Sequence, residues 1–170
     1  MVFDYAAQGL GLLACGLIVS SYFFKSDKTF KCFLMAGNLV FASHFFMLGA
    51  IAGVAINIIN FARIGLSIKC HNSISIMAVF MGIYVLAGTI IYQQPYDVLP
   101  VIAGIISTFA MFKLSGIKMR CCMYLVSLSW ISYGIIFKSI GIIITEIFNQ
   151  TVNTVTIFRL SKAPRHEAQI

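Results

Sequence analysis

Charge is what this chain has least of. Only 10% of its residues are Asp, Glu, Lys or Arg, against 60% hydrophobic, and mean hydropathy is strongly positive. A soluble domain of this length carries more charge and breaks up its apolar runs. The alternation of apolar and polar residues that an outer-membrane barrel needs is also missing. So is a disulfide framework. The five cysteines, Cys15, Cys32, Cys70, Cys121 and Cys122, make an odd count with no CxxC pair. Only His44 lies in a helix where it could join a metal site, so neither a metal nor a cofactor is expected. Catalytic signatures are absent too. There is no zincin motif, no serine–histidine–aspartate set and no pair of carboxylates within one span, and an enzyme is not expected.

What is present is a series of apolar runs close to the ~20 residues a helix needs to cross hydrocarbon. They read as an all-α membrane protein of seven transmembrane helices, over about 5–24, 30–48, 51–68, 74–92, 98–113, 119–137 and 140–160. Gly49 and the pair Lys138-Ser139 mark very short turns. The first run lacks a basic leader, and Asp4 sits where a positive charge would be expected, so it is read as a retained helix. The fourth has almost no strongly polar residue, which suits a linker or lipid-facing helix. Pro100 falls in the first turn of the fifth, where proline is tolerated.

The net charge of +7 sorts by side. Lys25, Lys28, Lys31, Arg63, Lys69, Lys113, Lys118, Arg120, Arg159, Lys162 and Arg165 fall on or near one side. Lys138 falls on the other, with Asp4 and Asp97. That bias places the amino terminus outside and the carboxyl terminus in the cytoplasm. Topology accounts for the basic residues, so the expected partner is the lipid bilayer and not nucleic acid. Arg63, about a turn from its helix end, is expected to extend toward the headgroups.

The chain also repeats itself. A shift of 89 residues brings Phe41 onto Trp130, His44 onto Tyr133, Asn57 onto Glu146 and Asn60 onto Asn149. Lys31 falls on Arg120 and Cys32 on Cys121 in the same ungapped register. The period is four helices, an even number, so the copies keep one orientation in the membrane. They are parallel repeats in a 3+1+3 order. Residues 1–73 form the first three-helix bundle, 74–97 the linker helix, 98–160 the second bundle and 161–170 a polar cytoplasmic tail.

Glu146, Asn149, Gln150 and Asn153 share one face of the last helix. A glutamate in an apolar segment is expensive, and it usually faces a bundle interior or a wet cavity. One reading is hydrogen bonding between helices, for which polar contacts in membranes are worth about 0.6–2 kcal/mol. The other is a cavity in which Glu146 binds solute or carries a proton. Asn57, Asn60, Glu146, Asn149 and Asn153 are the polar candidates. Phe41 and Trp130 are candidate walls, and His44 and Tyr133 are paired polar-tipped rings.

The layout resembles the SWEET and PQ-loop transporters. In that superfamily an aromatic residue on the second helix and an asparagine on the third line the pocket of each repeat. Here Phe41 to Asn57 and Trp130 to Glu146 have the same spacing. Within the superfamily the chain is most similar to the YgjV-type bacterial inner-membrane proteins. The stretches that carry this likeness are ASHFFMLGAIAGVAINIINFAR, LPVIAGIISTFAMF and SWISYGIIFKSIGIIITEIFN. The PQ dipeptide itself is missing. Where such transporters use hinge prolines in both repeats, only Pro100 is present. The resemblance implies a SWEET-like carrier of a small polar solute, sugar-like or another metabolite. It would work by alternating access around a midplane site, with proton linkage through Glu146 open. The bacterial inner membrane is the implied location, and a homo-oligomer is compatible with it. The alternative is a non-transporting receptor or assembly factor on the same scaffold.

Overall fold

The computed structural model describes residues 5–47, 51–92, 94–136 and 140–162, and among these the secondary structure is entirely helical. Seven α-helices follow one another: α1 (Tyr5–Ser21), α2 (Asp27–Met47), α3 (Ile51–Lys69), α4 (Ile74–Ile91), α5 (Val98–Lys113), α6 (Gly116–Ile136) and α7 (Ile140–Ser161). A single 3₁₀ turn, Pro95–Asp97, leads into α5. Gly49, Lys138-Ser139, Asp4 and Arg165 lie outside the described residues.

The helix starts have local causes. The Ser26 hydroxyl accepts the Thr29 amide (3.4 Å) and starts α2 earlier than the apolar run suggests. Ser73 does the same for Ile76 at the head of α4. Asn72 precedes it in the left-handed region (φ 70°), which asparagine tolerates better than most residues. Gly116, also left-handed (φ 55°), opens α6.

Packing is sequential. α2 packs between α1 and α3, and α6 between α5 and α7, while α4 leans on α5. The two triplets meet more lightly, through α1 with α7 and α3 with α5. Shifting α2 by 89 residues reproduces the bounds of α6, and the same shift carries the start of α3 onto the start of α7.

Large apolar side chains point outward. Leu12 is 74% exposed and Ile90 78%, and Phe46, Leu86 and Leu128 are also well exposed. Two described helices, Asp27–Met47 and Pro95–Lys113, are long and apolar enough to cross a membrane by length and composition.

A few cations are turned inward instead. Where α1, α3, α5 and α7 end and α2, α6 begin, Lys31 is buried and Arg120 is 0% exposed. Lys31 Nζ donates to the carbonyls of Met111 (2.6 Å) and Ser67 (3.4 Å), in the last turns of α5 and α3. Such carbonyls have no partner within their own helix and carry the negative end of its dipole. Arg120 donates to the Phe24 carbonyl just beyond α1 (2.9 Å) and lies 3.9 Å from an Asp27 carboxylate oxygen. Its guanidinium also sits 3.9 Å from the centre of the Phe30 ring. Thr156 and Arg159 of α7 donate to the carbonyls of Tyr22 and Phe23. Two cations expected to mark the cytoplasmic surface are thus internal caps. Unpaired helix-end carbonyls attract a cation that would otherwise lie in solvent.

Candidate functional site

Above this capped end lies a cavity of about 390 Å³ walled by residues from all seven helices. Its lining runs from Asp97, Pro100 and Tyr133 at one end to Tyr22, Met111 and Met123 at the other. The last three belong to the buried apolar cluster with Phe30, Ile64 and Met119, and Arg120 of the basic end packs over the Phe30 ring of that cluster.

The side chains in its wall are built from helix register. On α3, Asn60 and Arg63 lie three residues apart and share a face. Arg63 is 5% exposed. Its Nη1 donates to the Gly104 carbonyl (3.2 Å), Ser107 Oγ (2.5 Å) and Thr108 Oγ1 (3.0 Å), all on α5. This corrects the expectation that Arg63 reaches for headgroups. Three oxygens of α5 lie within reach of its stem, so the guanidinium turns inward.

Tyr84 of α4 packs beneath the guanidinium, 5.3 Å from carbon to ring centre, and donates a short hydrogen bond to Asn60 Oδ1. Gly104 is what lets it in. A β-carbon there would collide with Cδ1 of the Tyr84 ring.

The opposite wall is α6 and α7. Trp130 and Tyr133 line the cavity edge to face, with ring centres 6.0 Å apart. Glu146 and Asn149 line it from α7. Ser127 donates to Glu146 Oε2, and Gln150 Nε2 donates to Ser127 Oγ. Gln150 Oε1 in turn accepts from Asn153 Nδ2 (3.0 Å), which also donates to the Arg120 carbonyl (3.0 Å). A polar chain therefore runs down α7 from the cavity to the capped end.

Of the residues singled out from the sequence, Asn60, Glu146, Asn149, Trp130, Tyr133 and Pro100 line this cavity. Phe41, His44, Asn57 and Asn153 are not among its lining residues. Phe41 stacks on Phe45 with ring centres 6.0 Å apart. His44 Nδ1 donates to the Ala7 carbonyl (2.6 Å), and its ring fills the space over Gly11. Asn57 is half-buried on α3. Asn153 is fully buried in the chain described above. Arg63, Tyr84, Ser107 and Ser127 were not foreseen. A phenol in the middle of the otherwise apolar α4 was the available signal for Tyr84, since buried tyrosine hydroxyls find partners. Among the described residues no cluster of His, Cys, Asp and Glu could hold a metal ion.

Among the described residues the structure is all-helical, turns many large apolar side chains outward and buries Lys31, Arg63 and Arg120 against its own polar groups, features that fit the class of helical membrane proteins. The comparisons with known proteins make the assignment specific. A family described as bacterial inner membrane protein, Imp-YgjV, matches residues 5–164, and the chain belongs to that family. It is similar to "Inner membrane protein YgjV" of Escherichia coli (strain K12). The two are 29% identical over 161 residues, covering 93% of this chain and 87% of the relative. No solved structure matches.

Proposed function

We propose that the chain is a multi-pass inner-membrane carrier for a small polar solute, related to the SWEET and PQ-loop transporters. All seven helices span the bilayer, with the amino terminus outside and the basic end in the cytoplasm. α1–α3 and α5–α7 form two parallel bundles, α4 links them, and residues 161–170 form the tail. The bundles rock against each other around the cavity, and Pro100, in the first turn of α5, is the hinge on the outer side.

The observation that carries this reading is the cavity itself. It draws polar groups from both triplets, Asn60 and Arg63 from one and Ser107, Glu146 and Asn149 from the other. Packing alone gives no reason to keep so many polar groups around a void of this volume. Small-molecule sites fall in the same range, about 300–1,000 Å³, and combine apolar walls with a few placed polar groups. At the basic end the halves meet through the buried apolar cluster together with hydrogen bonds and the Arg120–Asp27 ion pair, and these polar contacts are individually modest and reversible. Lys31 of the first triplet holds the end of α5, and Arg120 of the second holds the segment after α1.

The test is counterflow into liposomes containing the purified chain, run against a broad set of labelled solutes. At least one class should accumulate, and Trp130→Ala or Asn149→Ala should reduce it. If nothing moves, while a protein partner co-purifies in fixed ratio, the chain is a receptor or assembly factor on this scaffold.

A further inference from the structure

The two triplets match closely in their helix bounds, so the positions where they differ in charge are informative. In the 89-residue register Arg63 corresponds to Val152, which is buried and apolar. Glu146 corresponds to Asn57, which is neutral. One half therefore adds a cation to the cavity wall and the other adds an acid. Neither charge is needed by the shared helical frame, because the other copy does without it.

Among the described residues no carboxylate forms an ion pair with this cation. Arg63 bonds only to neutral oxygens of α5, and its Nε has no partner. Among the described residues the ion pair found is Arg120 with Asp27, at the capped end. A buried guanidinium without a carboxylate is an incomplete arrangement, since neutral acceptors offset only part of its desolvation. A carboxylate on the solute would complete it in a fork geometry that arginine favours.

The acid is set up as an acceptor. Asn153 donates to Gln150, Gln150 donates to Ser127, and the Ser127 hydrogen is thereby turned toward Glu146. Trp130 lines the same wall. A carboxylate beside an aromatic face is a host for an ammonium group.

We propose that the solute is a zwitterion of amino-acid type, its carboxylate held by Arg63 and its ammonium by Glu146 beside Trp130. This rests on the reading of the cavity as a solute site and adds the solute's chemistry to it.

The test uses the full chain in nanodiscs, with binding read by thermal shift and movement by counterflow in liposomes. The probes are alanine, serine, leucine and phenylalanine, each beside its matched amine, its matched carboxylic acid and a neutral sugar. At least one amino acid should bind roughly tenfold or more tightly than both its amine and its acid, as expected when a charge pair is lost. Glu146→Gln and Arg63→Gln should each abolish that preference, and Arg63→Lys should restore part of it. Arg63→Gln risks misfolding, so the wild-type probe series decides on its own. A sugar that binds and moves while no amino acid does would overturn the zwitterion and leave the carrier reading standing. Absence of binding and movement for every class would overturn both.

Discussion

Asp27 and Gly116 stand 89 residues apart in sequence and touch: the Gly116 amide donates to the Asp27 carboxylate at 2.6 Å. The same shift carries α2 onto α6. The other Asp27 oxygen faces Arg120 at 3.9 Å, at the capped end. Asp27→Ala removes both contacts and leaves a fully buried guanidinium without its acid. It is expected to cost about 1.5–3 kcal/mol, the range for hydrogen bonds to charged groups. Asp27→Asn, which keeps an acceptor for Gly116, should cost less. Denaturation in detergent, followed by tryptophan fluorescence, checks the order; equal losses for the two variants would mean the amide contact contributes little.

Gly104 decides whether Tyr84 can reach Asn60. Gly104→Ala puts a methyl group into the Tyr84 ring, and overpacking of this kind costs about 1–3 kcal/mol. Trimming the ring should return most of it, so Gly104→Ala with Tyr84→Leu is expected to be more stable than the sum of the single losses. Additive losses would show that the ring moves aside without cost.

The chain Asn153, Gln150, Ser127, Glu146 acts as a unit. Ser127→Ala and Gln150→Ala should then be non-additive, with a coupling of about 0.5 kcal/mol or more in a double-mutant cycle, because either change breaks the same link. A coupling near zero would reduce the chain to separate contacts.

The proposed orientation is open to direct measurement across one helix. His71 and Tyr92 flank α4 and are both exposed. In a background without the native cysteines, Tyr92→Cys should react with a membrane-impermeant maleimide on intact spheroplasts. His71→Cys should react only after the membrane is opened. The reverse pattern would invert the protein, and equal labelling of both would mean α4 does not cross.

Seven helices were legible in the sequence, with ends within a few residues, because each is a local matter. An apolar run of sufficient length, closed by Ser, Gly, Asn or Lys turns, specifies a helix without help from the rest of the chain. The polar face of α7 was legible for the same reason, since spacing along one helix fixes which residues share a side. Which of those polar groups meet a cavity was settled only by tertiary structure. Helix rotation spends Asn153 on the Arg120 carbonyl and His44 on the Ala7 carbonyl, while Asn60, Glu146 and Asn149 stay at the wall. The direction of the long cations was settled there as well. A lysine or arginine stem reaches equally far toward headgroups or inward. The choice at Lys31, Arg63 and Arg120 was made by acceptor oxygens on segments remote in sequence, and those become neighbours only once the bundle has closed.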